Sequence, residues 1–213
     1  MKKRLGPFAV LFTPLNVGLA TMSLVFVLAG CNTARASVVA PPAARSTQAQ
    51  QVSPHTACDA AVTPSQTEGP FYKPGSPERT SLLEPDMPGT KLVISGYVLT
   101  RDCQPIGGAW LDFWQADANG AYDNSGYRLR GHQFTDATGR YELETVLPGQ
   151  YPGRTPHVHV KVQAPNQSVL TTQLYFPGQP RNDRDGIFNP ALLVSIQDTD
   201  DGKLASFDFV LDL

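Results

Sequence analysis

The sequence contains few of the residues that would favour several common classes of protein. It has three cysteines and four histidines in 213 residues, and 17 Lys and Arg against 19 Asp and Glu. No basic cluster follows the first few residues, so nucleic acid is not a predicted partner. No long segment shows helical periodicity, which argues against an α-helical fold. With so few histidines, two that lie close together in the sequence are a candidate for function.

The first 30 residues have the pattern of an export signal. A basic start at residues 2–4 precedes an apolar stretch that ends in small residues before Cys31. Residues 28–31 (LAGC) resemble a bacterial lipobox, which predicts lipidation of Cys31 and a membrane anchor, whereas cleavage near residues 34–36 would discard this cysteine. A proline and an asparagine interrupt the apolar run, so a spanning helix is not predicted. We expect an exported lipoprotein on the periplasmic or cell-surface face, or a secreted protein.

The remaining chain divides into a stalk and one domain. Residues 31–57 are rich in Ala, Pro, Gln and Ser and predict a flexible stalk. Residues 58–213 have the length of a single domain. Besides Cys31 only Cys58 and Cys103 are present, and a pair in an oxidising compartment predicts a disulfide between them, with two buried free thiols as the alternative.

Strand-like stretches separated by turn signals recur through this domain. They cover residues 91–100, 109–115, 127–135, 141–145, 157–163, 169–175 and 206–211, and a short helix is possible near 190–195. The pattern predicts an all-β fold, an antiparallel β-sandwich with little helix. In the second stretch we expect Trp110 and Trp114 to belong to the core rather than to a functional site.

His157 and His159 alternate with valines in the stretch HVHVKV. In a strand both histidines lie on one face, roughly 6.5–7 Å apart, with the valines on the other. Tyr122 and Tyr151 each follow a glycine turn, and two phenolates with two imidazoles form a hard ligand set suited to Fe(III). Two alternatives remain open: a zinc or copper site with His132 as a third imidazole, and a non-catalytic binding or structural sandwich in which these residues serve only turns and packing.

Several motifs follow one another in an order that resembles a known family. They are TEGPFY at 67–72, CQPI at 103–106, AWLDFWQA at 109–116, GAY at 120–122, TD at 135–136, GRY at 139–141, PGQY at 148–151, Arg154, PHVH at 156–159 and LTTQLYF at 170–176. Together they resemble the intradiol ring-cleavage dioxygenases, the family of protocatechuate 3,4-dioxygenase and catechol 1,2-dioxygenase. The resemblance implies a transthyretin-like sandwich.

The resemblance also implies a reaction and the residues for it. Non-haem Fe(III) would be held by Tyr122, Tyr151, His157 and His159, and a small aromatic diol would displace Tyr151 before O₂ cleaves the ring between its two hydroxylated carbons. The product would be a cis,cis-muconate-type diacid. Arg154 matches the arginine that lies against the bound ring.

Other positions have less specific roles in this comparison. Gln173 matches a glutamine beside that arginine, and Phe71 and Tyr72 either line the substrate mouth or pack in the core. A carboxylate on the substrate would require a further cation, for which Arg128, Arg130 and Arg184 are the candidates. Only two residues separate Tyr151 from Arg154, fewer than in the cytoplasmic enzymes, which predicts a more open pocket rim. The resemblance does not predict the oligomeric state.

Overall fold

The computed structural model describes residues 61–213, so the predicted signal, the stalk, Cys31 and Cys58 lie outside the described residues. The described part has nine strands: β1 Lys91–Thr100, β2 Trp110–Gln115, β3 Arg130–Phe134, β4 Arg140–Val146, β5 His157–Gln163, β6 Leu170–Tyr175, β7 Ser195–Thr199, β8 Gly202–Ser206 and β9 Phe209–Leu211. Two 3₁₀ turns, Asn182–Arg184 and Pro190–Leu192, are its only helical segments. None of the helical segments in residues 61–213 could cross a membrane.

The strands form two sheets, as the sequence predicts. A four-stranded antiparallel sheet has the order β3-β2-β5-β6. The second sheet has the order β4-β1-β8-β7, and β9 also pairs with β1. Their facing sides enclose a core that includes Phe113 and Val160, both fully buried. The all-β sandwich is therefore confirmed, and β1 and β5 have the predicted bounds.

Alternation along β5 gives the four-stranded sheet two chemically different faces. Val158, Val160 and Val162 point into the core and are 0% exposed. His157 and His159 point to the opposite, outer face, which the remainder of the chain covers, so both histidines are also buried. The functional side chains described below lie on this outer face.

The structure corrects the C-terminal part of the prediction. The stretch predicted as one strand at 206–211 is the end of β8 and the whole of β9, and both pair with β1 in parallel. The break falls at Phe207 and Asp208, where the Asp208 carboxylate accepts the Tyr97 amide at 2.8 Å. β7 and β8 were not predicted, because their residues are mostly polar and exposed and show no apolar alternation.

One predicted strand also begins too early. β3 starts at Arg130 rather than at residue 127, because the Asp123 carboxylate accepts the backbone amide of Arg128 and holds the preceding residues in a turn. Leu129 has a positive φ of 53°, which is incompatible with a strand.

Candidate metal centre

A short segment, residues 67–72, lies across the outer face of the four-stranded sheet; we call it the strap. Side chains from all four strands contact it, from β6 at its beginning to β2 and β3 at its end. The contacts are Gln173 Nε2 to Thr67 O at 2.8 Å, Lys161 Nζ to Glu68 Oε2 at 2.6 Å, Arg130 Nη1 to Phe71 O at 2.6 Å, and Tyr72 Oη to Asp112 Oδ2 at 3.1 Å. The strap therefore covers the two histidines in a fixed position.

The two predicted tyrosine ligands stand on turns that pack against each other. Tyr122 comes two residues after Gly120, and Tyr151 comes two residues after Gly149. A Cβ on Gly120 would lie 2.1 Å from Gln150 O, and one on Gly149 would lie 2.3 Å from Ala118 O. Only glycine allows backbones to approach this closely, so these two glycines bring the tyrosine turns together.

Three donor atoms converge on the outer face. The Nε2 atoms of His157 and His159 are 3.1 Å apart, and Tyr122 Oη is 3.4 Å from His157 Nε2. His157 Nδ1 donates to the carbonyl of Thr155 at 2.7 Å, which leaves the Nε2 lone pair free to bind a metal. The structure thus brings together three of the four predicted ligands.

Tyr151 is held beside this group by aromatic packing. Phe71 stacks on Tyr122 with ring centroids 4.4 Å apart, and it meets Tyr151 edge-on at 5.2 Å. The Tyr151 and Tyr122 rings are 5.9 Å apart. No residue in 61–213 hydrogen-bonds to the Tyr151 hydroxyl, so this side chain is less constrained than Tyr122. Phe71 therefore packs on the predicted ligands rather than in the core between the sheets.

His159 is oriented by packing instead of by a hydrogen bond. Its ring stacks on Trp114 with centroids 4.7 Å apart and planes 7° apart. Its Nδ1 is buried without a partner among the described residues. Tyr72 packs on the same indole at 4.7 Å. Trp114 is buried, but it lies on the site face of the sheet and supports a predicted ligand, which corrects the expectation that it belongs to the core rather than to the site.

Burial sets the protonation of the donors. It lowers the pKa of His157 to about 4 and that of His159 well below its usual value, with the charge of His157 adding to the second shift. Burial also raises the pKa of Tyr122, although the guanidinium groups of Arg154 and Arg130 oppose this. Both imidazoles are therefore neutral at pH 7 and can donate lone pairs, and the Tyr122 phenol requires a bound cation to ionise readily.

Arg154 is held beside the histidines by three side chains. Its Nε donates to both oxygens of Asp185, at 2.8 and 3.1 Å, and its Nη2 donates to Gln173 Oε1 at 2.7 Å. Nη2 also lies 3.3 Å from Tyr175 Oη. Gln173 connects this arginine to the strap through Thr67. The structure therefore brings Arg154 and Gln173 together, as the resemblance implied.

His132 lies apart from the other histidines. It faces Asp112 on β2, and its Nδ1 is 2.8 Å from Ser76 O. β3 is two strands away from β5, on the order of 10 Å. Within residues 61–213 no three His, Cys, Asp or Glu side chains are grouped to hold a metal. The geometry therefore does not support a zinc or copper site built from three histidines.

The three candidate cations differ in their surroundings. Arg130 is buried and uses its guanidinium on the carbonyls of Phe71 and Asp123. Arg184 is exposed on a 3₁₀ turn. Arg128 lies 3.7 Å from Glu84 and lines a cavity of about 400 Å³ together with Tyr122. Arg128 is thus the candidate that shares a cavity with a predicted ligand.

The sequence analysis did not identify Asp185, Thr155 and Gly69, which contact Arg154, His157 and His159, respectively. Asp185 stands in a loop far from the histidines in sequence, and its only signal was the cluster of charges in that loop. Thr155 acts through its backbone, which no pattern of residue types reveals. Gly69 was part of the motif TEGPFY, and its closeness to His159 could be read only from the fold.

The donor set fits a ferric ion. Two donors bound at right angles to one first-row metal, each about 2.1 Å away, are about 3 Å apart, which agrees with the 3.1 Å between the histidine Nε2 atoms. Phenolate oxygens and neutral imidazoles favour a hard, trivalent metal. No carboxylate is needed, because the two tyrosinates would supply negative charge.

Comparisons with known proteins show which family this chain is similar to. A family model described as dioxygenase matches residues 67–213. Catechol 1,2-dioxygenase of Candida albicans is 30% identical over 148 residues, which cover 56% of this chain and 49% of that enzyme. The chain therefore spans about half the length of this relative.

Two solved structures extend the comparison. The dioxygenase domain of a dioxygenase carbohydrate-binding protein fusion from the cellulolytic bacterium Streptomyces sp. SirexAA-E is 57% identical, with a TM-score of 0.71, over 72% of this chain and 99% of that domain. The 3-chlorocatechol 1,2-dioxygenase of Rhodococcus opacus 1CP is 28% identical, with a TM-score of 0.66, over 70% of this chain and 72% of that one. Because the family model matches more than half of the chain and the β-sandwich matches these solved structures, the chain belongs to the intradiol dioxygenase family.

Proposed function

We propose that this protein is an Fe(III)-dependent intradiol dioxygenase. It would cleave the ring of a catechol-type substrate between the two hydroxylated carbons and place both atoms of O₂ in a cis,cis-muconate-type diacid. The observation that carries the proposal is the convergence of Tyr122 Oη with the Nε2 atoms of His157 and His159 beside a fixed arginine.

Four residues would hold the iron: Tyr122, Tyr151, His157 and His159. When bound there, Fe(III) supplies Lewis acidity that draws electron density from a catecholate ring. The protein's part is to keep both imidazoles neutral, which burial achieves, and to orient them, which the Thr155 carbonyl does for His157 and Trp114 does for His159. The strap excludes water from the histidine side of the site.

Arg154 would act on the substrate. Its Nε and Nη2 are occupied by Asp185, Gln173 and Tyr175, whereas no residue in 61–213 accepts a hydrogen bond from its Nη1. This nitrogen can donate to the substrate. A fixed donor of this kind stabilises negative charge that develops on the ring as O₂ attacks.

Tyr151 would accept a proton as the catechol binds. A catechol that binds as a dianion releases two protons, and the Tyr151 phenolate would be a suitable acceptor for one of them. The Tyr151 hydroxyl has no hydrogen-bond partner in the described part of the chain, and its ring is only half-buried. Tyr122 is half-buried as well, but its hydroxyl lies 3.4 Å from His157 Nε2, so Tyr151 is the freer of the two phenols to take up a proton.

The names of the similar enzymes support the proposed substrate class. The similar enzymes are named for catechol and chlorocatechol, and the fusion protein comes from a cellulolytic bacterium. We propose a small aromatic diol as the substrate.

The export-signal pattern of the first residues supports a second proposal, that the mature protein is exported and lipid-anchored with Cys31 as its first residue. The mass of the mature chain purified from membranes tests this: an acylated N-terminal Cys31 supports the anchor, and a soluble chain that begins near residue 36 contradicts it.

The disulfide between Cys58 and Cys103 also belongs to this proposal. It would fix the end of the stalk to the loop after β1. Closing a loop of this length contributes on the order of 4 kcal/mol in the chain-entropy model. Alkylation of the non-reduced protein decides the matter, because two reactive thiols would exclude the bridge.

The metal proposal is tested on protein purified in air without chelator. We expect one iron per chain and a visible tyrosinate-to-Fe(III) band that shifts when catechol is added. Tyr122→Phe should lose bound iron, and with it the band and the ring-cleaving activity. Tyr127→Phe is the matched control, because its hydroxyl donates only to Pro74 O, at 2.9 Å. A colourless wild-type protein that does not take up iron on reconstitution would exclude the proposed function.

A further inference from the structure

Asp185 is almost fully enclosed beside the proposed active site. Its side chain is 1% exposed and lies in the loop between β6 and β7. It accepts hydrogen bonds from three N–H groups: Arg154 Nε, which is shared between its two oxygens, the Thr155 amide at 2.9 Å and the Ile187 amide at 3.2 Å. A buried carboxylate with this many donors keeps its charge and has one orientation.

The bonds to Arg154 use one particular nitrogen. Arginine commonly binds a carboxylate through two of its nitrogens, each of which donates to one carboxylate oxygen. Here both carboxylate oxygens of Asp185 accept from Nε, and Nη2 donates to Gln173. The guanidinium is therefore held along one edge, and Nη1 is the nitrogen without a partner among residues 61–213.

The same carboxylate fixes the backbone next to a predicted ligand. Thr155 donates its amide to Asp185, and its carbonyl accepts from His157 Nδ1 at 2.7 Å. Asp185 therefore hydrogen-bonds to Arg154 directly and is connected to His157 through the backbone of Thr155. A displacement of Asp185 would change the position of the arginine relative to the histidine.

We propose that Asp185 is a positioning residue that aims Arg154 Nη1 at the substrate, an inference that rests on the proposed function. It does not touch the substrate or the metal. Its effect on the reaction passes through Arg154, so the two residues should behave as one unit when either is changed. If Asp185 only stabilised the loop, the fold-loss of kcat from its substitution would instead multiply with the loss from Arg154→Ala.

The experiment is a double-mutant cycle with Asp185→Asn and Arg154→Ala, measured on the iron-loaded full chain with catechol. Asparagine keeps the size of the side chain but removes the charge and one acceptor. We expect Asp185→Asn to keep its iron and its visible band and to lower kcat by about 10- to 100-fold, with a smaller change in anaerobic catechol binding. In the Arg154→Ala background the same substitution should change kcat by less than about two-fold.

Asp183→Asn is the matched control. Asp183 stands on the preceding 3₁₀ turn, is exposed and has no side-chain hydrogen bond in the described part of the chain, so its turnover should equal that of the wild type. If Asp185→Asn does not fold, Asp185→Glu replaces it in the cycle, because it keeps the charge and moves the carboxylate.

Two results would overturn the inference: an Asp185 variant with wild-type turnover, or losses from the two residues that multiply in the double variant. A wild-type protein without iron, catechol-dependent spectrum or ring cleavage would instead exclude the proposed function, so the two failures can be told apart.

Discussion

Gly69→Ala should weaken metal binding through a single added methyl group. Gly69 has a φ of 71°, and a Cβ at this position would lie 3.3 Å from His159 Cε1 and 3.7 Å from its Nε2. Carbon atoms in good contact are about 3.5–4.0 Å apart, so either the strap or the imidazole must move. The imidazole has little freedom, because it stacks on Trp114.

Two costs are expected, and they can be separated. An L-residue in the left-handed region costs roughly 1–2 kcal/mol of folding stability. The contact with His159 adds a loss of metal affinity, which for changes next to a metal ligand is about 10- to 100-fold. Gly178→Ala isolates the first cost, because Gly178 has the same φ of 71° and a Cβ there would meet nothing within 4 Å.

The assay compares both variants with the wild type. Chemical unfolding of the iron-free proteins should show similar losses of stability for Gly69→Ala and Gly178→Ala. Competition for iron with a chelator should show weaker binding for Gly69→Ala alone. Equal iron affinity in the two variants would refute the reasoning, since it would mean that the strap does not constrain His159.

Three further predictions concern the contact between the tyrosine turns, the core of the sandwich and the β3–β4 turn. Gly149→Ala should abolish iron binding, because its Cβ would lie 2.3 Å from Ala118 O and would separate the two tyrosine turns; iron analysis of the folded variant checks this. Val160→Ala, on the core face of β5, should lower the free energy of unfolding by about 2 kcal/mol in urea titrations and leave iron content unchanged. Asp136→Asn should destabilise the β3–β4 turn at pH 7. Hydrogen bonds from Thr138 and the Arg140 amide lower the Asp136 pKa, so the carboxylate contributes to folding stability above about pH 4 and loses this contribution as the pH falls below that. In urea titrations, the difference in stability between variant and wild type should therefore be smaller at pH 3 than at pH 7.

The sequence predicted the parts of the fold in which residue type alternates between the two faces of a sheet. β5 alternates valines with histidines, and β1 alternates in the same way, so their bounds were found from the sequence. The β7–β8 hairpin was missed because it lies at the edge of its sheet, where water rather than the core faces most of its side chains.

The sequence proposed only part of the candidate site. The predicted ligands and Arg154 carry distinctive chemistry within recognisable motifs, so they could be proposed one by one. The supports could not be named, because Asp185 and Thr155 act through geometry that is set by distant loops. The strap was visible only as a motif, and its contacts with four separate strands depend on the folded sheet.

The strap has a consequence for the order in which the site can form. Its residues are synthesised before every strand that it touches, and the last of its contacts, Gln173, follows about 100 residues later. Contacts between residues so far apart in the chain close late in folding, since they depend on strands that must pair first. The strap is therefore expected to dock after the four strands have paired. If the site binds iron as proposed, iron that arrives before this step would meet the two histidines uncovered by the strap.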